Sequence, residues 1–157
     1  MNLAAIALLM SGCVKIPEAY FGNYADSSRG ASLVLQQNKA VFTAPDGRKF
    51  KAGSQELSVA DLADAKAGIY DVQDKSSGMI EVYWINPSVG TRQESAGFVW
   101  YSAEVLYTYF ASAQRDQVQS LQLVQCVNGT VMVDTQTQRV QVGCPENSTV
   151  YNLLRTQ

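Results

Sequence analysis

The feature that most constrains the fold is a series of short runs of β-branched and aromatic residues, separated by turn signals about every 8–14 residues. The strongest run covers residues 79–85, Met-Ile-Glu-Val-Tyr-Trp-Ile, and Asn86-Pro87 closes it. Pro45-Asp46-Gly47 is a turn signal because proline presets φ and glycine accepts a positive φ. The pattern predicts a mostly β protein, a small antiparallel β-barrel or sandwich of about eight or nine strands.

One segment departs from this β pattern. Ser58 and Asp61 have the spacing of a capping box, in which a serine N-cap is followed three residues later by an acidic side chain. The next residues are rich in alanine and leucine, and Gly68 is a plausible end signal. We predict one short helix over residues 59–67, from Val59 to Ala67.

Residues 102–113 fit two structures. As a helix, they place Leu106, Tyr109 and Phe110 on one face. As a strand, they alternate aromatic and aliphatic side chains on both faces. The density of β-branched and aromatic residues favours a strand buried on both sides.

The last third of the chain predicts a β-meander. Asn128-Gly129 is a strong hairpin signal between residues 121–126 and residues 131–133. Residues 140–142 supply a third strand. This arrangement places the predicted turn two residues after Cys126.

Charge and composition exclude several functions. The chain has 157 residues, a net charge of −2 and no histidine. Catalytic groups that need histidine, and histidine-ligated zinc sites, are therefore excluded. No long basic run supports binding to nucleic acid. The length and composition suit a single β-rich domain, assigned to residues 19–157.

The carboxylates do not form a recognisable catalytic or metal motif. Asp61, Asp64, Asp71 and Asp74 invite a metal or acid–base interpretation, but a solvated surface explains them better. Glu81 and Glu104 lie within apolar runs, so they are the carboxylates for which a perturbed environment is expected. We predict no catalytic residues, no cofactor, no metal site and no enzymatic activity.

The N-terminus combines an apolar run with two small residues and a cysteine. Residues 1–9 are almost wholly apolar, and their length suits the core of a secretory signal rather than a membrane-spanning helix. Leu9-Met10-Ser11-Gly12-Cys13 resembles the lipobox of bacterial lipoproteins. In that class a signal peptidase cuts before the cysteine, whose thiol carries diacylglycerol.

The lipobox resemblance implies a processed and anchored protein. Residues 1–12 would be a removed signal peptide, Cys13 the lipidated residue, and residues 13–18 a short tether. Val14 follows the cysteine where an aspartate would favour retention at the inner membrane. The resemblance therefore implies an outer-membrane lipoprotein, with the membrane as a partner through the lipid (palmitate and related acyl chains) on Cys13.

The remaining cysteines are Cys126 and Cys144. If Cys13 is acylated and the protein is exported, these two can form a disulfide bond in an oxidising compartment. Two reduced core thiols are the alternative. In the predicted meander Cys126 follows the first strand and Cys144 the third, with one strand between them. Two such strands are about 9–10 Å apart, which is too far for a disulfide unless the strand ends converge.

Two functions are consistent with these features. The first is a non-catalytic module that binds a partner protein in the cell envelope. The second is a carrier of a small apolar ligand, since Gly22-Asn23-Tyr24 resembles the Gly-x-Trp near the start of lipocalin-like barrels. Most of the clustered aromatic residues are expected in the core, and some at a pocket mouth or partner surface. They are Tyr83, Trp84, Phe98, Trp100, Tyr101, Tyr107, Tyr109 and Phe110.

Overall fold

The computed structural model describes residues 16–37, 39–52, 56–74 and 76–156. The lipobox and Cys13 lie outside these residues. The described chain forms a short 3₁₀ helix, one α-helix and eleven strands. In order they are the 3₁₀ helix Glu18–Tyr20, β1 Gly22–Asp26, β2 Ala31–Gln36, β3 Lys39–Thr43, β4 Lys49–Ala52, α1 Val59–Ala63, β5 Gly68–Asp74, β6 Met79–Pro87, β7 Gln93–Ser95, β8 Phe98–Ala111, β9 Ser120–Asp134, β10 Arg139–Gly143 and β11 Thr149–Arg155.

The strands form one antiparallel sheet that curls into a half-barrel. Its strand order is β4-β3-β2-β1-β11-β9-β8-β6-β5, with β10 beside β9 and β7 beside β8. The two ends of this path, β4 and β5, are edge strands. Glu56 and Leu57, just before α1, contact the β5 edge. Glu56 forms a parallel bridge with Ile69, and the Leu57 N–H donates to the Ile69 carbonyl at 2.6 Å. The predicted mostly β antiparallel fold is confirmed.

Two hydrophobic cores lie on opposite faces of the long strands, because successive side chains along a strand point to opposite sides. In β8, Val105 and Leu106 are both almost completely buried although they are neighbours. Leu106 belongs to the main core, with Leu33, Phe42 and Leu153. Val105 belongs to a second core. Residues 102–111 are thus a strand, as the strand interpretation predicted. Its two halves bury opposite faces, and Tyr109 is 47% exposed, so the strand is not buried on both faces along its whole length.

The second core is built on the N-terminal half of β8 and the C-terminal half of β9, and α1 covers it. Its buried members are Leu62, Ile85, Val99, Tyr101, Ala103, Val105, Cys126, Val131 and Val133. Leu62 is the α1 residue that enters this core, and the Tyr101 hydroxyl donates to the Leu62 carbonyl at 2.6 Å. Burial raises the pKa of Tyr101 to about 12.

The capping box of α1 is confirmed, but the helix is shorter than predicted. Ser58 Oγ accepts from the Asp61 N–H, and the Asp61 carboxylate accepts from the Ser58 N–H. The helix ends at Ala63 because Ala65 has a φ of 55°, in the left-handed region. Gly68 therefore starts β5 instead of ending the helix.

The predicted hairpin at Asn128-Gly129 is wrong, because β9 runs unbroken through these residues. Gly129 serves close packing rather than a turn. A Cβ placed there would lie 3.1 Å from the Ala103 and Gly143 carbonyl oxygens and 3.1 Å from Val105 Cγ2. The pairing of β9 with β8 shifts between Ala103 and Val105, so the sheet bends beside this glycine.

The continuous β9 also removes the geometric objection to a disulfide. β10 pairs directly with β9 and ends at Gly143, opposite Thr130. Cys144 is the next residue and lies beside the same strand as Cys126. The two Cα atoms are 5.5 Å apart, and the Cys126–Cys144 disulfide is formed. It joins the middle of β9 to the connection between β10 and β11.

Loss of this disulfide is expected to destabilise the domain. The bond closes a loop with a sequence separation of 18 residues, and the chain-entropy model assigns such a loop about 3 kcal/mol. For a domain of this size that corresponds to a fall in Tm of roughly 6–12 °C. The measurement is thermal unfolding with and without reductant, for the wild type and a Cys126→Ser/Cys144→Ser variant. A wild type whose Tm is insensitive to reductant would contradict the prediction.

Arg155, near the end of β11, holds the N-terminal segment against the half-barrel. Its guanidinium donates to the carbonyl oxygens of Val118, Phe21 and Ala19 at 2.6, 2.8 and 3.2 Å. It also donates to the Tyr24 hydroxyl at 2.8 Å and lies over the Tyr24 ring. Arg155 therefore joins the end of β11 to the residues just before β1.

The start of the described chain already belongs to the folded domain. Ile16 packs against the main core, and Tyr20 is buried in it. Tyr20 also stacks edge-on against Phe110, and its hydroxyl accepts from the Ala111 N–H. Ile16, within the expected tether, therefore contacts the folded domain.

Candidate functional site

An open groove of about 540 Å³ lies between β5 and the β9–β10 hairpin. We call it the β5–β10 groove. Its lining is Tyr70, Val72, Phe98, Met132, Asp134, Gln138, Arg139, Val140 and Gln141. The groove forms where the second core reaches the surface, since Tyr70 and Val140 also pack against that core.

Three large apolar side chains are exposed together in this groove. Val72 is 40% exposed, Phe98 41% and Met132 43%. Isolated apolar residues are normal on a protein surface, but a patch enclosed by a polar rim marks an interaction site. Met132 suits such a site because its flexible thioether adapts to different surfaces.

Hydrogen bonds within the β9–β10 turn position part of the polar rim of the groove. Asp134 Oδ1 accepts from the Gln136 N–H at 3.0 Å and the Thr137 N–H at 3.2 Å. These hydrogen bonds, led by those from Thr137, lower the pKa of Asp134. Gln138 closes the turn with a φ of 61°. The rim therefore offers one anionic and one cationic residue, Asp134 and Arg139, beside the apolar floor.

A row of four tyrosines extends from the groove across β5, β6 and β8, and we call it the tyrosine row. Tyr70 pairs with Tyr83, and Tyr83 pairs with Tyr107. Successive ring centroids are 6.5, 5.8 and 6.1 Å apart along Tyr70, Tyr83, Tyr107 and Tyr109. Tyr109 is 47% exposed and lines a second, polar groove of about 510 Å³. The tyrosine row thus joins two surface grooves.

Glu81 lies beside the tyrosine row and orients two of its members. Glu81 is directly opposite Tyr109 in the sheet. Its Oε1 accepts from the hydroxyls of Tyr83 and Tyr109. Burial, followed by the charge of Glu81, raises the pKa of Tyr109. Glu81 is therefore a carboxylate that accepts hydrogen bonds from two tyrosine hydroxyls.

Glu104, the other carboxylate singled out from the sequence, accepts hydrogen bonds from Arg48 and Gln125. Arg48 donates to both of its carboxylate oxygens, at 3.1 and 2.9 Å. Gln125 Nε2 donates to Glu104 Oε2 at 3.1 Å, and the Tyr151 hydroxyl donates to Gln125 Oε1 at 2.7 Å. This network is structural, because it joins the β3–β4 hairpin to β8, β9 and β11.

The structure brings together one pair of carboxyls that sequence analysis did not identify. Glu56 hydrogen-bonds with Asp71, and burial followed by this contact raises the pKa of Glu56 to about 8. The pair was missed because the two residues are 15 positions apart and meet only through the bridge between Glu56 and Ile69. In the described part of the chain, no three Cys, Asp or Glu residues gather as metal ligands.

The Glu56–Asp71 pair predicts that stability falls as pH rises. A carboxyl with a raised pKa keeps its proton in the native state while the unfolded state has lost it, so its stabilisation is present below about pH 4.5 and is lost as pH approaches 8. Glu56 is partly exposed, and solvent screening limits the effect on Tm to a few degrees. Glu56→Gln should flatten this part of the Tm–pH profile, and an unchanged slope would contradict the assignment.

Sequence analysis identified part of the groove and of the tyrosine row. Trp84, Tyr101 and Phe110 are buried in the core, as expected for most of the aromatic cluster. Phe98 and Tyr109 are exposed, and each lines a groove, consistent with the expectation that some of the cluster lies at the surface. Tyr70, Val72 and Met132 were not singled out, although alternation along β5 and β9 is a signal for their faces.

None of the helices in the described ranges is long and apolar enough to span a membrane. Comparison with known proteins finds no matching family model, no matching curated protein and no matching solved structure.

Proposed function

We propose that this chain is a lipid-anchored protein of the bacterial outer membrane whose β-domain binds a partner protein without catalysing a reaction. The observation that carries the binding function is the β5–β10 groove, an exposed apolar surface on a domain whose interior is packed with side chains. The lipid anchor is supported by the lipobox resemblance of residues 9–13.

The character of the surface supports a protein partner. Tyrosine and methionine are enriched at protein interfaces, where they supply large contact areas. The tyrosine row and the β5–β10 groove provide both residue types beside a rim that carries Asp134 and Arg139. Strands hold these side chains, so little conformational entropy is lost when a partner binds.

The position of the folded domain is consistent with a short anchor. Ile16, three residues after Cys13, packs against the main core. Three residues span at most about 11 Å. A lipid on Cys13 would therefore hold the domain close to the membrane surface, where a partner in the same membrane is within reach.

The carrier of a small apolar ligand has less support. A carrier needs an enclosed apolar cavity, whereas Leu33, Leu35 and Phe42 fill the concave face of the sheet and are completely buried. The large grooves are open at the surface, and the one that Tyr109 lines borders the main core at Tyr20 and Leu121 without entering an enclosed cavity.

A photocrosslinking amino acid at Met132 tests the binding function. In cells that produce the full protein, the probe should give a discrete adduct with one partner. Val72→Asp, which places a charge in the apolar floor, should abolish the adduct without lowering the amount of protein. A probe at Val89, which is fully exposed and outside the groove, is the matched control. Equal adducts from both probes, or an adduct insensitive to Val72→Asp, would exclude the groove.

Intact mass of the protein extracted from membranes tests the anchor. We expect a mature chain that begins at Cys13 and carries added acyl mass. A Cys13→Ser variant should accumulate unprocessed and fractionate differently from the wild type. An unmodified chain that keeps residues 1–12 would remove the lipid anchor and the outer-membrane assignment.

A further inference from the structure

The polar groove that Tyr109 lines opens where β8 and β9 part. Pairing between these strands runs as far as Tyr107 opposite Val124, and beyond that point β8 continues beside β6 while β9 continues beside β11. The groove of about 510 Å³ lies at this divergence, with Thr108 and Tyr109 on one side and residues 120–122 on the other. It shares no lining residue with the β5–β10 groove, so its ligand is independent of the partner proposed above.

Tyr109 and Gln122 project from the same face of the sheet. The side chains of a paired position share a face, and each strand returns to that face two residues later, from Tyr107 to Tyr109 and from Val124 to Gln122. Both of these side chains are exposed, whereas Thr108, which alternates with them, is buried. The polar groove therefore opens to solvent on the side where Tyr109 and Gln122 lie.

The loop that borders the polar groove is held in place by its backbone. The Val118 N–H donates to the Ala19 carbonyl at 3.0 Å. Arg155 donates to the Val118 carbonyl from Nε at 2.6 Å and to the Gln119 carbonyl from its backbone N–H at 2.8 Å. The position of this wall is thus set by the folded domain and does not require a ligand.

Uncharged hydrogen-bonding groups dominate the lining. None of the ten lining residues, all within the described ranges, is charged. A charged ligand would find no opposite charge among them, and an apolar ligand would cover polar groups without replacing their hydrogen bonds to water. The lining therefore suits a neutral ligand rich in hydroxyl groups. Its carboxamide and aliphatic hydroxyl side chains are Thr108, Gln114, Gln117, Gln119, Ser120 and Gln122.

Three of the glutamine amides are oriented by one hydrogen bond each. Gln114 and Gln119 donate from Nε2 to main-chain carbonyls of their own loop at 2.9 and 3.3 Å, and Gln122 donates from Nε2 to Asn152 Oδ1 at 3.0 Å. The Oε1 atoms of the three accept no hydrogen bond from the described residues. A hydroxyl group both donates and accepts, so it complements either end of such an amide.

Tyr109 adds an aromatic surface. It is 47% exposed, its hydroxyl donates to Glu81 Oε1 at 3.4 Å, and its ring lies edge-on to Tyr107. The face of an aromatic ring is electron-rich and attracts weakly positive C–H groups. A pyranose ring with equatorial hydroxyls carries axial C–H groups on its faces and hydroxyls around its edge. Tyr109 and the amides match the face and the edge of such a sugar.

We propose that the polar groove binds a neutral disaccharide whose pyranose rings carry equatorial hydroxyls. Tyr109 packs against the axial C–H groups of one ring, and the amides of Gln114, Gln119 and Gln122 bind hydroxyls. A volume of about 510 Å³ suits a ligand of about 23 non-hydrogen atoms, at roughly 20–30 Å³ each. Cellobiose has this size and chemistry.

The glutamine side chains provide a direct readout, since their amide groups give resonances in a ¹H–¹⁵N spectrum. Titration with cellobiose should shift the resonances of Gln114, Gln119 and Gln122 saturably, with a dissociation constant of about 1 mM, as expected for a small neutral ligand in an open groove. Sorbitol, an open-chain polyol without a ring face, should cause no saturable shift at the same concentrations.

Substitutions at the two kinds of contact complete the test. Tyr109→Ala and Gln114→Ala/Gln119→Ala should each weaken cellobiose binding at least about tenfold, whereas Tyr109→Phe, which keeps the ring, should stay within about threefold of the wild type. Phe98→Ala, at an exposed aromatic residue of the same strand that lines the β5–β10 groove, should leave binding unchanged. Near-UV circular dichroism verifies that each variant is folded. The proposal is overturned if cellobiose causes no saturable shift, if sorbitol shifts the same resonances equally, or if Phe98→Ala weakens binding as much as Tyr109→Ala.

Discussion

The rest of the structure depends on the pairing of β8 with β9. These strands have 14 and 15 residues, and no other strand has more than nine in the described part of the chain. Their length lets one strand pair serve two cores, with Leu106 and Leu123 on the main side and Val105 and Val131 on the other. The bend beside Gly129 and the Cys126–Cys144 disulfide both lie at the middle of the pair, where one core gives way to the other.

The surface features follow from this arrangement. A sheet with one core would leave the outer faces of β5 and β6 in solvent. Here the second core partly buries Tyr70, Tyr83 and Tyr107, and its open end forms the β5–β10 groove. The edge strands β4 and β5 remain unpaired with each other, so the main core keeps a small side opening at Trp84. The exposed groove and the side opening at Trp84 are thus two consequences of a sheet that curls without closing.

Local signals in the sequence predicted the fold class, the capping box of α1 and the strand character of residues 102–111. They failed where tertiary contacts decided the outcome. Asn128-Gly129 has the composition of a turn, but Gly129 is needed where β8 and β10 approach from both sides. The Glu56–Asp71 pair joins a residue that precedes α1 to a residue of β5, a juxtaposition that no local pattern encodes. The exposure of Phe98 and Met132 likewise depends on where the second core ends.

The most direct test of this account is a set of side-chain contacts across β9, measured by nuclear Overhauser effects. The continuous strand predicts contacts between Val105 and Cys126 on one side of Asn128-Gly129 and between Tyr101 and Val131 on the other, since these residues are paired in the sheet. A hairpin at Asn128-Gly129 would instead bring Cys126 opposite Val131. Observation of a Cys126–Val131 contact, with the contacts to Val105 and Tyr101 missing, would contradict the two-core architecture and the groove built on it.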